Sequence, residues 1–118
     1  MKNTISSSPY CIAENATISD ALTAITENKR GGAVVVDDNG ILLGIVSDGD
    51  VRRALVRGAT ELTPIHKILN PNVLTLGRSA AIERESGQIF AEHPEMNLIP
   101  ITAGNVVIDV KVRESKNT

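Results

Sequence analysis

The feature that most constrains this chain is the segment Asp37-Asp38-Asn39-Gly40, because an apolar run stands on each side of it. Asn-Gly between two such runs is the strongest short-range indication of a β-hairpin. The run before it is Ala33-Val34-Val35-Val36, and the run after it is Ile41-Leu42-Leu43-Gly44-Ile45-Val46. Neither alternates apolar with polar residues, so both read as strands buried on both faces. Gly44 interrupts the second run, and a glycine inside a strand marks a place where another backbone or a ligand comes close.

Helices flank this hairpin. Thr17-Ile18-Ser19-Asp20 opens one with a capping-box pattern, hydroxyl first and acid three positions later. Ile18, Ala21, Leu22 and Ile25 fall at i, i+3, i+4 and i+7, an amphipathic stripe that ends near Asn28-Lys29-Arg30. After Val46 the period changes again. Val51, Ala54 and Leu55 form one helical face, and Gly58 is placed as a stop after about Arg57. Between strand and helix lies the polar corner Ser47-Asp48-Gly49-Asp50. In one reading Ser47 is an N-cap and Asp50 reaches back to the Ser47 amide. In the other, the hydroxyl and amides at this terminus hold a phosphate while the carboxylate accepts from ribose hydroxyls. The two readings compete only in part, since one hydroxyl cannot fully serve both amide and phosphate.

The order of elements then repeats. Tyr10-Cys11-Ile12 reads as a short strand before the first helix, and Val73-Leu74-Thr75-Leu76 matches it in the second half. Ser79 is placed as the cap of a helix running to about Glu92, anchored by Ile82, Ile89 and Phe90, with Gly87 weakening it. Leu98-Ile99-Pro100-Ile101 corresponds to residues 33–36, and Val106-Val107-Ile108-Asp109-Val110 to the strand ending at Val46. Thr63-Pro64-Ile65 begins a short helical turn between the halves, followed by the loop Asn70-Pro71-Asn72.

Gly44-Ile45-Val46-Ser47-Asp48-Gly49-Asp50 resembles the Gly-h-h-(Ser/Thr)-x-x-Asp signature, h being apolar, of the cystathionine-beta-synthase (CBS) domain family. The continuation through Leu55 is similar to CBS pairs attached to sugar-phosphate isomerases and sugar nucleotidyltransferases. The resemblance implies an α/β fold of tandem CBS motifs, two β-α-β-β-α units related by a pseudo-twofold axis, with clefts between them for adenine nucleotides. The first motif is residues 9–58. The second, 63–114, is truncated, with a loose arm at 1–8 and a polar tail at 115–118. In the family the hydroxyl residue lies near the phosphate and the aspartate binds ribose, roles that fall on Ser47 and Asp50. Gly44, Asp48, Ile12, Ala33 and Arg53 complete the expected binding set. Tyr10 and Ile12 are candidates for the apolar side of a base pocket, and Arg52 or Arg53 for facing a phosphate. The second motif departs from the signature: Ile108 stands at the glycine, Lys111 at the hydroxyl and Glu114 near the aspartate.

Other function classes are disfavoured. At 118 residues, with 42% hydrophobic and 22% charged, this is one globular domain with a real core. Net charge is −2, and Tyr10 and Phe90 are the only aromatics, so no basic stripe or stacking platform for nucleic acid is expected. No run is long enough to span a membrane, the start lacks a signal-peptide core, and the single Cys11 suits a cytoplasmic setting. His66 and His93 are too far apart in sequence to announce a metal site. Ser47, His66 and Asp50 lack anything that would hold them as a triad, and Asp37-Asp38 reads as a solvated turn.

The expected function is therefore non-catalytic. It is a regulatory module sensing AMP, ADP or ATP, homodimeric, and part of a longer sugar nucleotidyltransferase whose catalytic domain follows on the C-terminal side. The homodimer is expected because Ile18, Leu22 and Ile25 would be only partly covered in a single pair. The alternative is a dimerisation module with a vestigial cleft.

Overall fold

The computed structural model describes residues 8–78 and 81–114. Two three-stranded sheets carry the chain. The first comprises β1 (Cys11–Ala13), β2 (Gly32–Val36) and β3 (Leu42–Ser47), the second β4 (Leu76–Gly77), β5 (Leu98–Ala103) and β6 (Val106–Val112). In each, the first strand runs parallel to the central one and the third antiparallel to it. Helix α1 (Ile18–Asn28) joins β1 to β2, α2 (Asp48–Val56) follows β3, and α3 (Ile82–Glu92) joins β4 to β5. The second half repeats the first, as its sequence order predicts.

Alternation along β2 divides the core. Val34 and Val36 point toward the second sheet, where they meet Leu98, Val107 and Val110. Ala33 and Val35 point the other way, onto Ile18, Ala21 and Val51 of the helices. On the far side Ile99 and Ile101 pack with Phe90 of α3. Most of the stripe of α1 is covered within the chain: Ile18 and Ala21 are fully buried and Ile25 is 8% exposed, while Leu22 is partly buried. Of the three residues given above as the reason for a homodimer, Leu22 alone is left partly uncovered. Among the described residues, the large apolar side chains left exposed are Leu55 and Val56 of α2, at 40% and 84%, together with Leu62, Leu74 and Ile108; with Leu55 outside, the α2 stripe is narrower than the spacing predicts. Burial also pushes the Cys11 thiol up to about 11.

Local signals explain where elements start and stop. Thr17 Oγ1 accepts from the Asp20 amide, and Asp20 accepts from the Thr17 amide, the capping box expected for α1. The helix ends on Lys29 in the left-handed region, φ 60°. Asp37 closes the hairpin by accepting from the amides of Asn39 and Ile41. The proposed cap of α3, Ser79, lies outside the described residues, as do 1–7 of the N-terminal arm and the polar tail.

Three sequence-based expectations need correction. Residues 73–75 are not part of a strand; β4 begins at Leu76, and Val73 and Leu74 turn toward a cavity described below. Gly44 meets a neighbouring backbone, the first of the two readings given for it, and it is its place in the binding set that changes: a Cβ there would lie 2.5 Å from the Asn70 carbonyl oxygen, because Ile45 and Asn70 exchange backbone hydrogen bonds.

The third correction is a slip of one residue in the match between the halves. Both third strands carry a bulge at the same place, Leu43 of β3 opposite Val35 and Val36, and Ile108 of β6 opposite Ile101 and Thr102. The Asp48 amide donates to Gly31, as the Arg113 amide donates to Asn97, both at 2.9 Å. Leu98 therefore answers to Gly32, Asp109 to Gly44 and Val112 to Ser47, while the counterpart of Asp50 falls at position 115. A one-residue slip exchanges the faces of a strand. It explains why Lys111, expected in the place of the hydroxyl, reaches α3 instead and bonds Glu83 at 2.6 Å.

Gly44→Ala is expected to destabilise the fold by about 1–3 kcal/mol through overpacking against Asn70. Gly87 in α3 has open space around it, so Gly87→Ala should stabilise by up to about 1 kcal/mol. Urea unfolding of both variants beside the wild type checks the pair.

Candidate functional site

The strand-to-helix corner is a closed capping box. Ser47 Oγ accepts from the Asp50 amide at 3.0 Å, and Asp50 Oδ2 accepts from the Ser47 amide at 3.0 Å. The second oxygen of Asp50, Oδ1, accepts from Arg53 Nη2 at 2.7 Å. Arg52 pairs in the same way with Asp48, at 2.9 Å. The structural reading of this corner is thus satisfied in full. It leaves the hydroxyl proton of Ser47 for another acceptor, since a hydroxyl donates as well as accepts.

The corner also opens onto a cavity of about 360 Å³ between the two halves. One wall is residues 30–32, 45–47 and Asp50. The linker contributes 70 and 72–74, and the loop after α3 contributes 93 and 95–98. Backbone and apolar groups (Gly31, Gly32, Val73, Leu74, Met96) line it beside a few polar ones, the composition of a small-molecule site. Arg30, Asp50, Glu95 and His93 are its titratable side chains, and His93 Nδ1 lies 3.4 Å from Glu95.

The expected binding residues are distributed unevenly about this cavity. Ser47 and Asp50 lie on its wall. Ala33 is fully buried against the helices, one position beyond the wall residue Gly32, and Ile12 packs on the same helix-facing core. Tyr10 packs on the core between the sheets. Gly44 is occupied by Asn70, Asp48 is exposed beside Arg52, and Arg53 reaches the corner only through Asp50. Residues 70–74 and 93–97 were not anticipated. Val73 and Leu74 carry an apolar signal that reads as strand, and the other residues carry only a lack of periodicity, which does not say where a loop will be placed.

In the second half, the position that begins a helix in the first is Arg113. Its guanidinium donates to the carbonyls of Phe90, His93 and Met96, at 2.9, 3.0 and 2.7 Å, and lies 4.8 Å from the Phe90 ring centre. It thereby satisfies carbonyls at the C-terminal end of α3. With Val112 in place of the hydroxyl, this end has no equivalent of the Ser47 corner. His66 sits exposed in the 3-10 turn Ile65–Lys67. No group of three or more metal-ligating side chains occurs among the described residues.

Residues 2–57 match the CBS domain family. This segment, just under half of the chain, is similar to a CBS domain. Solved structures share the fold over most of the chain. A CBS domain protein from Pyrobaculum aerophilum complexed with AMP aligns at TM-score 0.70 and 20% identity, covering 88% of this chain and 79% of that one. A Vibrio cholerae protein described as an acetoin utilization protein (AcuB) aligns at TM-score 0.79 and 24% identity, covering 89% of this chain and 77% of that one. An uncharacterized protein of Helicobacter pylori strain J99 is 30% identical over 99 residues, covering 84% of this chain and 30% of its own. Arabinose 5-phosphate isomerase GutQ of Salmonella typhi is 34% identical over 67 residues, covering 56% of this chain and 21% of its own. The chain spans less than a third of the length of these curated relatives. No helix among the described residues is long and apolar enough to cross a membrane.

Ser47→Ala should cost about 0.5–2 kcal/mol through loss of the cap, whereas Ser47→Asp, which can also cap, should retain most of the stability. Thermal melts without ligand distinguish the two.

Proposed function

We propose that this chain is a CBS regulatory module that binds an adenine nucleotide in the cleft between its halves. The observation that carries the reading is the placement of Ser47 and Asp50 together on the wall of the 360 Å³ cavity. A cavity of this size is within the range for small-molecule sites. At one helix N-terminus the Ser47 hydroxyl proton supplies a donor for a phosphate and the Asp50 carboxylate an acceptor for ribose hydroxyls. The AMP held by the Pyrobaculum relative supports an adenine nucleotide as the ligand.

The role we infer is control of an enzyme acting on a sugar phosphate, rather than catalysis by the module itself. The GutQ relatives favour an isomerase of that class over a nucleotidyltransferase. The proposal retains a homodimer, with its apolar contact moved from α1 to the exposed Leu55 and Val56 of α2. Val56→Glu should then shift light scattering toward monomer; unchanged scattering from a dimeric wild type would remove α2 from the contact.

AMP at a hundred times its dissociation constant should add about 2.7 kcal/mol of stability, raising Tm by several degrees in a domain this size. Asp50→Asn should weaken AMP binding about ten- to a hundredfold, by loss of charge-assisted hydrogen bonds. If no nucleotide among AMP, ADP and ATP shifts the wild-type Tm, the cleft is vestigial and the interaction-module reading replaces this one.

A further inference from the structure

Both oxygens of the Asp50 carboxylate are engaged before any ligand arrives. Oδ2 holds the Ser47 amide, and Oδ1 holds Arg53 Nη2 at 2.7 Å. The amide bond is part of the cap and stays with the helix. The arginine bond is different in kind, because it joins a side chain 62% exposed to one only 24% exposed. Arg53 is folded back along the first turn: a Cβ on Gly49 would lie 3.3 Å from its Nη1. The guanidinium therefore rests beside the backbone between Ser47 and Asp50. It lies behind the carboxylate, on two outer hollows rather than on the wall of the main cavity.

We propose that Arg53 makes the cleft selective for a phosphorylated nucleoside by exchanging partners when the ligand enters. This rests on the reading of the cleft as a nucleotide site. Without ligand, Arg53 neutralises Asp50. When ribose hydroxyls donate to Asp50, the guanidinium turns to the phosphate held at the Ser47 corner, an acceptor that suits its planar fork. A ligand carrying both ribose and phosphate supplies a new partner to each member of the pair. A nucleoside supplies only the hydroxyls, and must share the carboxylate with Arg53 or leave the guanidinium to water. The exchange faces no large barrier, since an exposed pair at i, i+3 is weakly held. Arg52, one position earlier, points to Asp48, which is not on the cavity wall, so the assignment is specific to one of two adjacent arginines.

The test is calorimetric titration of the full chain with adenosine and with AMP, for wild type, Arg53→Gln, Arg53→Lys and Arg52→Gln. Wild type should prefer AMP by about tenfold or more. Arg53→Gln should weaken AMP about ten- to a hundredfold while adenosine binds as well as before or better. Arg53→Lys should fall between, keeping the charge and losing the fork, and Arg52→Gln should match wild type for both ligands. Equal weakening of AMP and adenosine by Arg53→Gln would make Arg53 a structural residue and overturn the proposal. So would unchanged AMP affinity in that variant. Failure of wild type to bind either ligand would instead overturn the nucleotide reading itself, and this assignment with it.

Discussion

Complete burial of β2 is the constraint on which the rest of the structure depends. All five residues from Gly32 to Val36 are buried, and a strand without a polar face is stable only inside a layered core. Its two sets of side chains make different contacts, Val34 and Val36 with the opposite sheet and Ala33 and Val35 with α1 and α2. The pairing of the halves follows from this. Neither three-stranded sheet could hide its inner face alone, and each provides the cover for the other. The small Ala33 and the larger Ile99 hold equivalent places, which suits two helices packing on the first sheet and α3 on the second.

The cleft is a consequence of the way the edges of that core are closed. The linker crosses the outer edge of β3, where Asn70 and Ile45 exchange hydrogen bonds and Gly44 gives the backbones room. Further along, Gly40 and Leu42 bond Val107 and Asn105 of the second hairpin. Strand β3 is thus held at both ends, and its C-terminus delivers Ser47 and Asp50 to a gap bounded by linker and α3 loop. In the second half the same gap-forming end is closed differently. Arg113 turns back onto the last carbonyls of α3, so the symmetry of the fold is not a symmetry of chemistry.

How far this was legible in the sequence varied with the range of the interaction. The hairpin, both capping boxes, the α1 stripe and the duplicated order of elements are set by residues within a few positions of each other, and they appear as read. The correspondence between the halves differs by one residue from the match of apolar runs. That match sets Leu98, the first apolar residue of its run, against Ala33, whereas Leu98 pairs with Val112 as Gly32 pairs with Ser47, and a glycine is not counted in an apolar run. The error moved Lys111 from the helix face of β6 to the cleft, and it disappears once Arg113 is matched with Asp48 through their shared amide bonds. Ala33 was assigned to the binding set for a related reason, since the wall residue is its neighbour Gly32 and adjacent strand residues face opposite ways.

By itself the sequence determined the two motifs, the strands buried on both faces and the Ser47-Asp50 corner with its cap, because each depends on local geometry and short spacing. The tertiary structure decided what surrounds that corner. It brought residues 70–74 and 93–97 to the opposite walls and filled the space at Gly44 with the Asn70 backbone. Loops carry no periodicity from which their position can be read. Where they come to rest is fixed by the packing of the two sheets, a contact between segments about sixty residues apart, such as Val34 with Leu98.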